Sequence, residues 1–128
     1  GPTITVVRTT EGYVFGGYTD QSWNSSNSWI PSSKAFLFAL RCYAGLGPTK
    51  MPVVSESQAT YGHTSYGPVF GGGHEIMIAN CANQNASSYT KFSGHFECPA
   101  GQGHTFLTGS SQFQVSEIEV FRIEANAE

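Results

Sequence analysis

Charge is what this sequence has least of. Lys, Arg, Asp and Glu together supply 12% of its 128 residues, about half the share usual for a soluble domain. The six cations, Arg8, Lys34, Arg41, Lys50, Lys91 and Arg122, stand singly along the chain. No basic stripe exists for a phosphate backbone to follow, so nucleic-acid binding is excluded. Long apolar runs are missing too: none approaches the roughly 18 residues of a helical membrane span, and no membrane insertion is expected. No segment carries a sustained 3.6-residue apolar period with caps, so little helix is expected. Cysteine is scarce, at Cys42, Cys81 and Cys98 with no C-x-x-C pair, which speaks against a zinc site. An odd count allows at most one internal bridge. Three reduced thiols are one reading, and an intermolecular disulfide linking a homodimer is the other.

Catalytic chemistry is equally thin. Asp20 is the single Asp, only His63, His74, His95 and His104 are available, and no Gly-x-Ser-x-Gly elbow occurs. A nucleophile–His–carboxylate relay has little to draw on, and an enzyme is not expected. The histidines pair at 11 and 9 residues, not at metal-ligand spacing. A calcium site would need oxygens from Glu and amide side chains; Glu56 with Gln58, Glu75 with Asn80, and Glu97 are the groups at hand. Glu75 and Asn80 are the candidate ligands.

What is abundant is β-branched, aromatic and glycine content, the composition of short strands and tight turns. Length gives one domain spanning residues 1–128. Thr3 to Thr9 alternates as a strand, Glu11-Gly12 makes a turn, and Tyr13 to Tyr18 returns. Residues 19–34 read as a loop holding Trp23 and Trp29. Ala35 to Arg41 is an apolar run expected to be buried on both faces, and Lys50 to Val54 is an edge strand because Pro52 lacks a ladder donor. Residues 55–67 are turn-rich. Pro68 to Phe70 and Glu75 to Ala79 flank Gly71-Gly72-Gly73, and residues 80–93 form a polar loop. Gly94 to Glu97, Thr105 to Leu107 and Ser116 to Glu124 complete the strands. The last should pack Ile118, Val120 or Phe121, and Ile123 at one face. Val14-Phe15-Gly16-Gly17 echoes Val69-Phe70-Gly71-Gly72, as if marking equivalent places in two facing sheets. The expected fold is mostly β, a two-sheet antiparallel β-sandwich.

Four segments together resemble the TLDc domain family. They are Gly12-Tyr13-Val14-Phe15-Gly16-Gly17-Tyr18 with Trp23 following, Ser33 to Leu40, Tyr66 to Ile76, and Glu117-Ile118-Glu119-Val120-Phe121. Their order and spacing agree over nearly the whole chain. The resemblance implies a two-sheet antiparallel sandwich without accepted enzyme chemistry. It also implies an intracellular role in oxidative-stress resistance or regulation of the vacuolar proton-pumping ATPase. Family members carry a helical stretch before the segment that begins here at Gly1, and often Asp where Glu75 stands.

Against that stands a secreted lectin. Low charge, the sequons Asn24-Ser25-Ser26 and Asn85-Ala86-Ser87, the odd cysteine count and the missing helices favour it. So do two loops rich in amides and aromatics. A saccharide site needs an aromatic platform and a fan of amide or carboxylate groups. Asp20 and Trp29 from one loop, with Asn80, Asn83 and Asn85 from the other, are the candidate glycan-binding residues. The sequence reading therefore expects a calcium-assisted, dimeric, carbohydrate-binding protein, with the intracellular TLDc module as alternative.

Overall fold

Alternation along the first strand sets the architecture. Thr3–Thr9 (β1) turns Thr5, Val7 and Thr9 inward and leaves Ile4, Val6 and Arg8 on the other face, as the two-residue period of a strand requires. The structure is a computed structural model that describes residues 2–21, 23, 28–62, 66–72, 74–79, 82–92 and 94–123, apart from the side chains of Tyr66 and Ala82. After β1 come Val14–Thr19 (β2), Ser28–Ile30 (β3), Phe36–Arg41 (β4), Thr49–Pro52 (β5) and Thr60–Gly62 (β6). Tyr66–Phe70 (β7), Ile76–Ala79 (β8), Ser88–Tyr89 (β9), Gln112–Phe113 (β10) and Val115–Arg122 (β11) follow. The helical elements among the described residues are two 3-10 turns, Glu56–Gln58 and Ala82–Gln84.

The strands form two antiparallel sheets packed as a sandwich. One has the order β11-β1-β2-β4-β5, the other β10-β9-β8-β7-β6-β3. The first and last strands of the chain lie side by side, Thr3 opposite Arg122 and Val7 opposite Ile118, with a bulge where Arg8 passes to Thr9. Between the sheets lies a core that includes Val7, Phe15, Leu37, Met51, Phe70, Ile76, Phe92, Phe96 and Leu107.

The echoed tetrapeptides do fall in facing sheets, and their glycines make room. Gly17 on β2 meets Phe70 on β7: a Cβ at residue 17 would stand 2.6 Å from the Phe70 ring. Phe70 in turn receives the edges of Trp23 and Phe96, with ring centroids 5.4 and 6.3 Å away. Just beyond it, Gly71 adopts φ +85, and a Cβ there would run into the Glu75 carboxylate. Both a left-handed backbone and close approach therefore require glycine at 71.

Several expectations change. β4 is buried on one face only: Leu37 and Ala39 are covered, Phe36 and Phe38 are half-buried and Leu40 is exposed, because no described element lies over the outer face. The segment 19–34 contains β3, and the segment 80–93 contains a 3-10 turn and β9. Gly94 to Glu97 is not a strand; it makes a single bridge, Phe96 with Val53. Thr105 to Leu107 is a run of turns. Phe96, Phe106 and Leu107 are buried all the same, so their apolar character reports packing rather than pairing. The expected packing of the terminal strand also fails. Ile118, Val120, Phe121 and Ile123 are 38%, 52%, 50% and 38% exposed, because β11 is an edge strand that the second sheet does not cover.

Gly17→Ala should destabilise the fold by about 1–3 kcal/mol through overpacking. Urea denaturation of Gly17→Ala and of the double variant with Phe70→Leu measures this, and the smaller partner side chain should restore part of the loss.

Candidate functional site

The loop residues expected to fan around a sugar are engaged within the fold. Asp20 accepts a 2.6 Å hydrogen bond from the Ser32 hydroxyl. The Ser32 oxygen itself accepts from the Lys34 and Ala35 amides at 3.2 and 3.0 Å, a serine turn that leads the chain into β4. The Ser32 hydroxyl, more than any other contact, holds the Asp20 carboxyl below its ordinary range. Trp23 donates its indole N–H to the Thr3 hydroxyl at 3.0 Å and sets its ring against Phe70, so it caps the core. Trp29 sits on β3 opposite Tyr61, the rings 4.6 Å apart and edge-on.

The second loop lies elsewhere. Asn83 is exposed in the 3-10 turn, and its backbone carbonyl accepts from the Gln114 side-chain amide at 2.9 Å. The Asn85 side chain accepts from the Ser87 amide at 2.9 Å, an Asx turn. β3 is one edge of its sheet, and β9, which follows these residues, is four strands away. At about 4.8 Å per strand that separation is roughly 19 Å. Asp20 and Trp29 thus form no common platform with Asn83 and Asn85. Asn80, Asn24, Asn27, His63 and Cys81 lie outside the described residues.

Glu75 turns inward. It is wholly buried, and one carboxylate oxygen accepts the backbone amides of His95 and Phe96 at 2.7 and 3.1 Å. The other stands 3.4 Å from Nδ1 of His95. The His95 carbonyl accepts the amides of Val54 and Ser55. One carboxylate therefore holds the 94–97 segment against the end of β5, while the Thr90 hydroxyl donates to the Glu75 carbonyl at 2.7 Å. These contacts give Glu75 a structural task. Among the described residues no three His, Cys, Asp or Glu gather in the manner of a metal site. Of the described cysteines, Cys42 is a buried thiol and Cys98 a partly buried one. Burial pushes the Cys98 thiol up, which lowers its thiolate fraction. Cys42 is too enclosed to bridge a second chain.

Exposed chemistry concentrates instead on the five-stranded sheet. Register places Phe121, Ile4, Tyr18 and Phe36 in one row across four strands of its outer face. Tyr18 stacks on Phe36 at 5.1 Å and 24°, and the Lys50 ammonium lies 4.4 Å from the Phe36 ring centre, within cation–π range. On the inner side of β11, Val115, Ile118 and Val120 face Gly67, Pro68, Ile78 and Ala79 across an open, mostly apolar groove of about 540 Å³, which Asn83, Ser116 and Glu117 also border. Single exposed apolar residues are unremarkable, but several on one strand beside a mostly apolar groove form the kind of patch that suits contact with another chain. The sequence pattern showed the alternation of β11; it held no sign that the second sheet would stop short of it.

The sequence model of the TLDc domain matches residues 1–124. The MTOR-associated protein MEAK7 of zebrafish (Danio rerio) is 42% identical over 43 residues, which is 34% of this chain and 10% of that protein. The match therefore spans a tenth of that relative's length.

Two outcomes check these assignments. Glu75→Ala strips the acceptor from two buried amides and should cost at least about 2 kcal/mol, whereas Glu75→Gln, which keeps one acceptor oxygen, should cost less; both are measured by chemical denaturation. The depressed Asp20 carboxyl gives stability that is full above its unfolded value and is lost as pH falls through its folded value. Wild type should therefore lose stability on acidification relative to Asp20→Asn, with the two melting temperatures drawing together at the acid end.

Proposed function

The chain belongs to the TLDc domain family, and on that premise we propose that it is a non-enzymatic association module working inside the cell, through contacts with the vacuolar proton pump or in protection against oxidative damage. The observation that carries this reading is the exposed apolar strand β11 with its groove, a surface suited to another protein chain. The name of the zebrafish relative describes an association with a protein partner, which supports association as the mode of action. The saccharide reading loses its basis because Asp20, Trp23 and Trp29 are bonded or packed within the fold and stand apart from Asn83 and Asn85. With it goes the argument for secretion that rested on those loops.

The test is affinity purification of the tagged protein from cells, with quantitative detection of proton-pump subunits and a glycan array in parallel. Recovery of pump subunits well above a tagged control, with no sugar bound, is the expected result. A blank pump signal together with saturable glycan binding would return the lectin reading.

A further inference from the structure

Among the described residues, the edge of β11 away from β1 is unpaired. β11 ends the five-stranded order, so only one of its sides is paired, with β1. The Ile123 amide donates to the Pro2 carbonyl at 2.9 Å, which fixes the phase of the ladder. Hydrogen-bonded and non-bonded pairs alternate along an antiparallel ladder. Residues 117, 119 and 121 therefore exchange bonds with β1, and residues 118, 120 and 122 turn their N–H and C=O groups outward. Ile118 and Val120 are also the residues whose side chains line the groove. An added strand would meet main-chain partners along the edge and drop every second side chain into an apolar space already open for it.

Charge decides which strand fits. The outer face of β11 bears Glu117 and Glu119. Arg8 reaches Glu117 only at 4.0 Å, with both side chains more than half exposed, so the pair is weak and a partner cation can replace it. A second copy is a poor occupant. Antiparallel self-pairing about a twofold axis opposes residues of the same face. Centred on Ile118 it sets Glu117 against Glu119 twice, and centred on Glu119 it sets that residue against itself; a register centred on Val120 avoids this but pairs only residues 118–122 of β11. Like charges directly opposite destabilise a strand pair.

We propose that β11 accepts, by β-augmentation, an extended segment of a partner protein with aliphatic residues on one face and Lys or Arg on the other. The aliphatic face fills the groove against Ile118, Val120 and Ile78, and the basic face meets Glu117 and Glu119. This rests on the association reading in one respect only, that an association module needs a contact surface.

The experiment titrates the isotope-labelled full chain with the acetylated peptide Lys-Val-Lys-Val-Lys-Val and with its twin Glu-Val-Glu-Val-Glu-Val, followed by amide shifts and hydrogen exchange. The basic peptide should bind saturably, slow exchange at Ile118 and Val120 at least tenfold, and bind at least tenfold more tightly than the acidic twin. Val120→Pro removes an outward amide while sparing the bonds to β1, a placement proline tolerates on an edge; it should keep a folded spectrum and lose at least tenfold in affinity. Equal affinity for the two peptides, protection confined to another part of the surface, or unchanged binding by folded Val120→Pro overturns the proposal. Should that variant not fold, the exchange map of the wild-type chain decides alone. The titration reads the edge without the pump, and the affinity purification reads the pump without the edge, so failure of one is distinguishable from failure of the other.

Discussion

The two sheets meet as they do because Gly17 has no side chain where Phe70 arrives. Everything around that contact is arranged on the space it leaves. Trp23 and Phe96 both pack against the Phe70 ring in edge-on contacts. Phe96 is in turn held by the hydrogen bond its backbone amide donates to Glu75, whose carboxylate fits beside the left-handed backbone of Gly71. A short glycine-bearing sequence used once in each sheet thus supplies the close approach of the sheets in one case and the berth for a buried carboxylate in the other. Interiors packed to crystal-like density leave no slack for an added methyl at such points.

That arrangement explains why the polar groups of this chain make poor candidates for ligand chemistry. The single Asp and one of the eight Glu stand at structural posts. Asp20 holds Ser32 at the entry to β4, and Glu75 ties the 94–97 segment to the sandwich. The indole of Trp23 is anchored to β1 through Thr3. Asp20 and Asn85, which looked like parts of an amide and carboxylate fan in the sequence, each hold a local turn.

The long strands were legible because alternation and β-branched content act locally. β1, β2, β4, β5 and β8 lie close to where the pattern put them, and the edge position of β5 followed from Pro52. The short strands β3 and β9 were hidden in polar stretches, where two or three residues carry no readable period. Phe96, Phe106 and Leu107 misled in the opposite sense, since an apolar residue in irregular backbone can be as buried as one in a strand. The sequence placed Trp23 in a loop and within the family resemblance, and its packing on Phe70 emerges only from the structure. The inward turn of Glu75 was not readable either, because it depends on amides twenty residues away.

β11 shows where sequence pattern stops being informative. Alternation assigns Ile118 and Val120 to one face and Glu117 and Glu119 to the other, but it cannot say whether anything lies opposite either face. Soluble proteins ordinarily protect a long apolar edge with bulges, prolines or inward-pointing charge. Here the bulge lies at one end, where Arg8 passes to Thr9, and the central residues 117–121 run without interruption. The protection that remains is the pair of outer-face glutamates, which repel a second copy of the same edge. A device that discourages self-association while leaving main-chain donors and acceptors open to a partner of opposite charge is a selective edge rather than a blocked one.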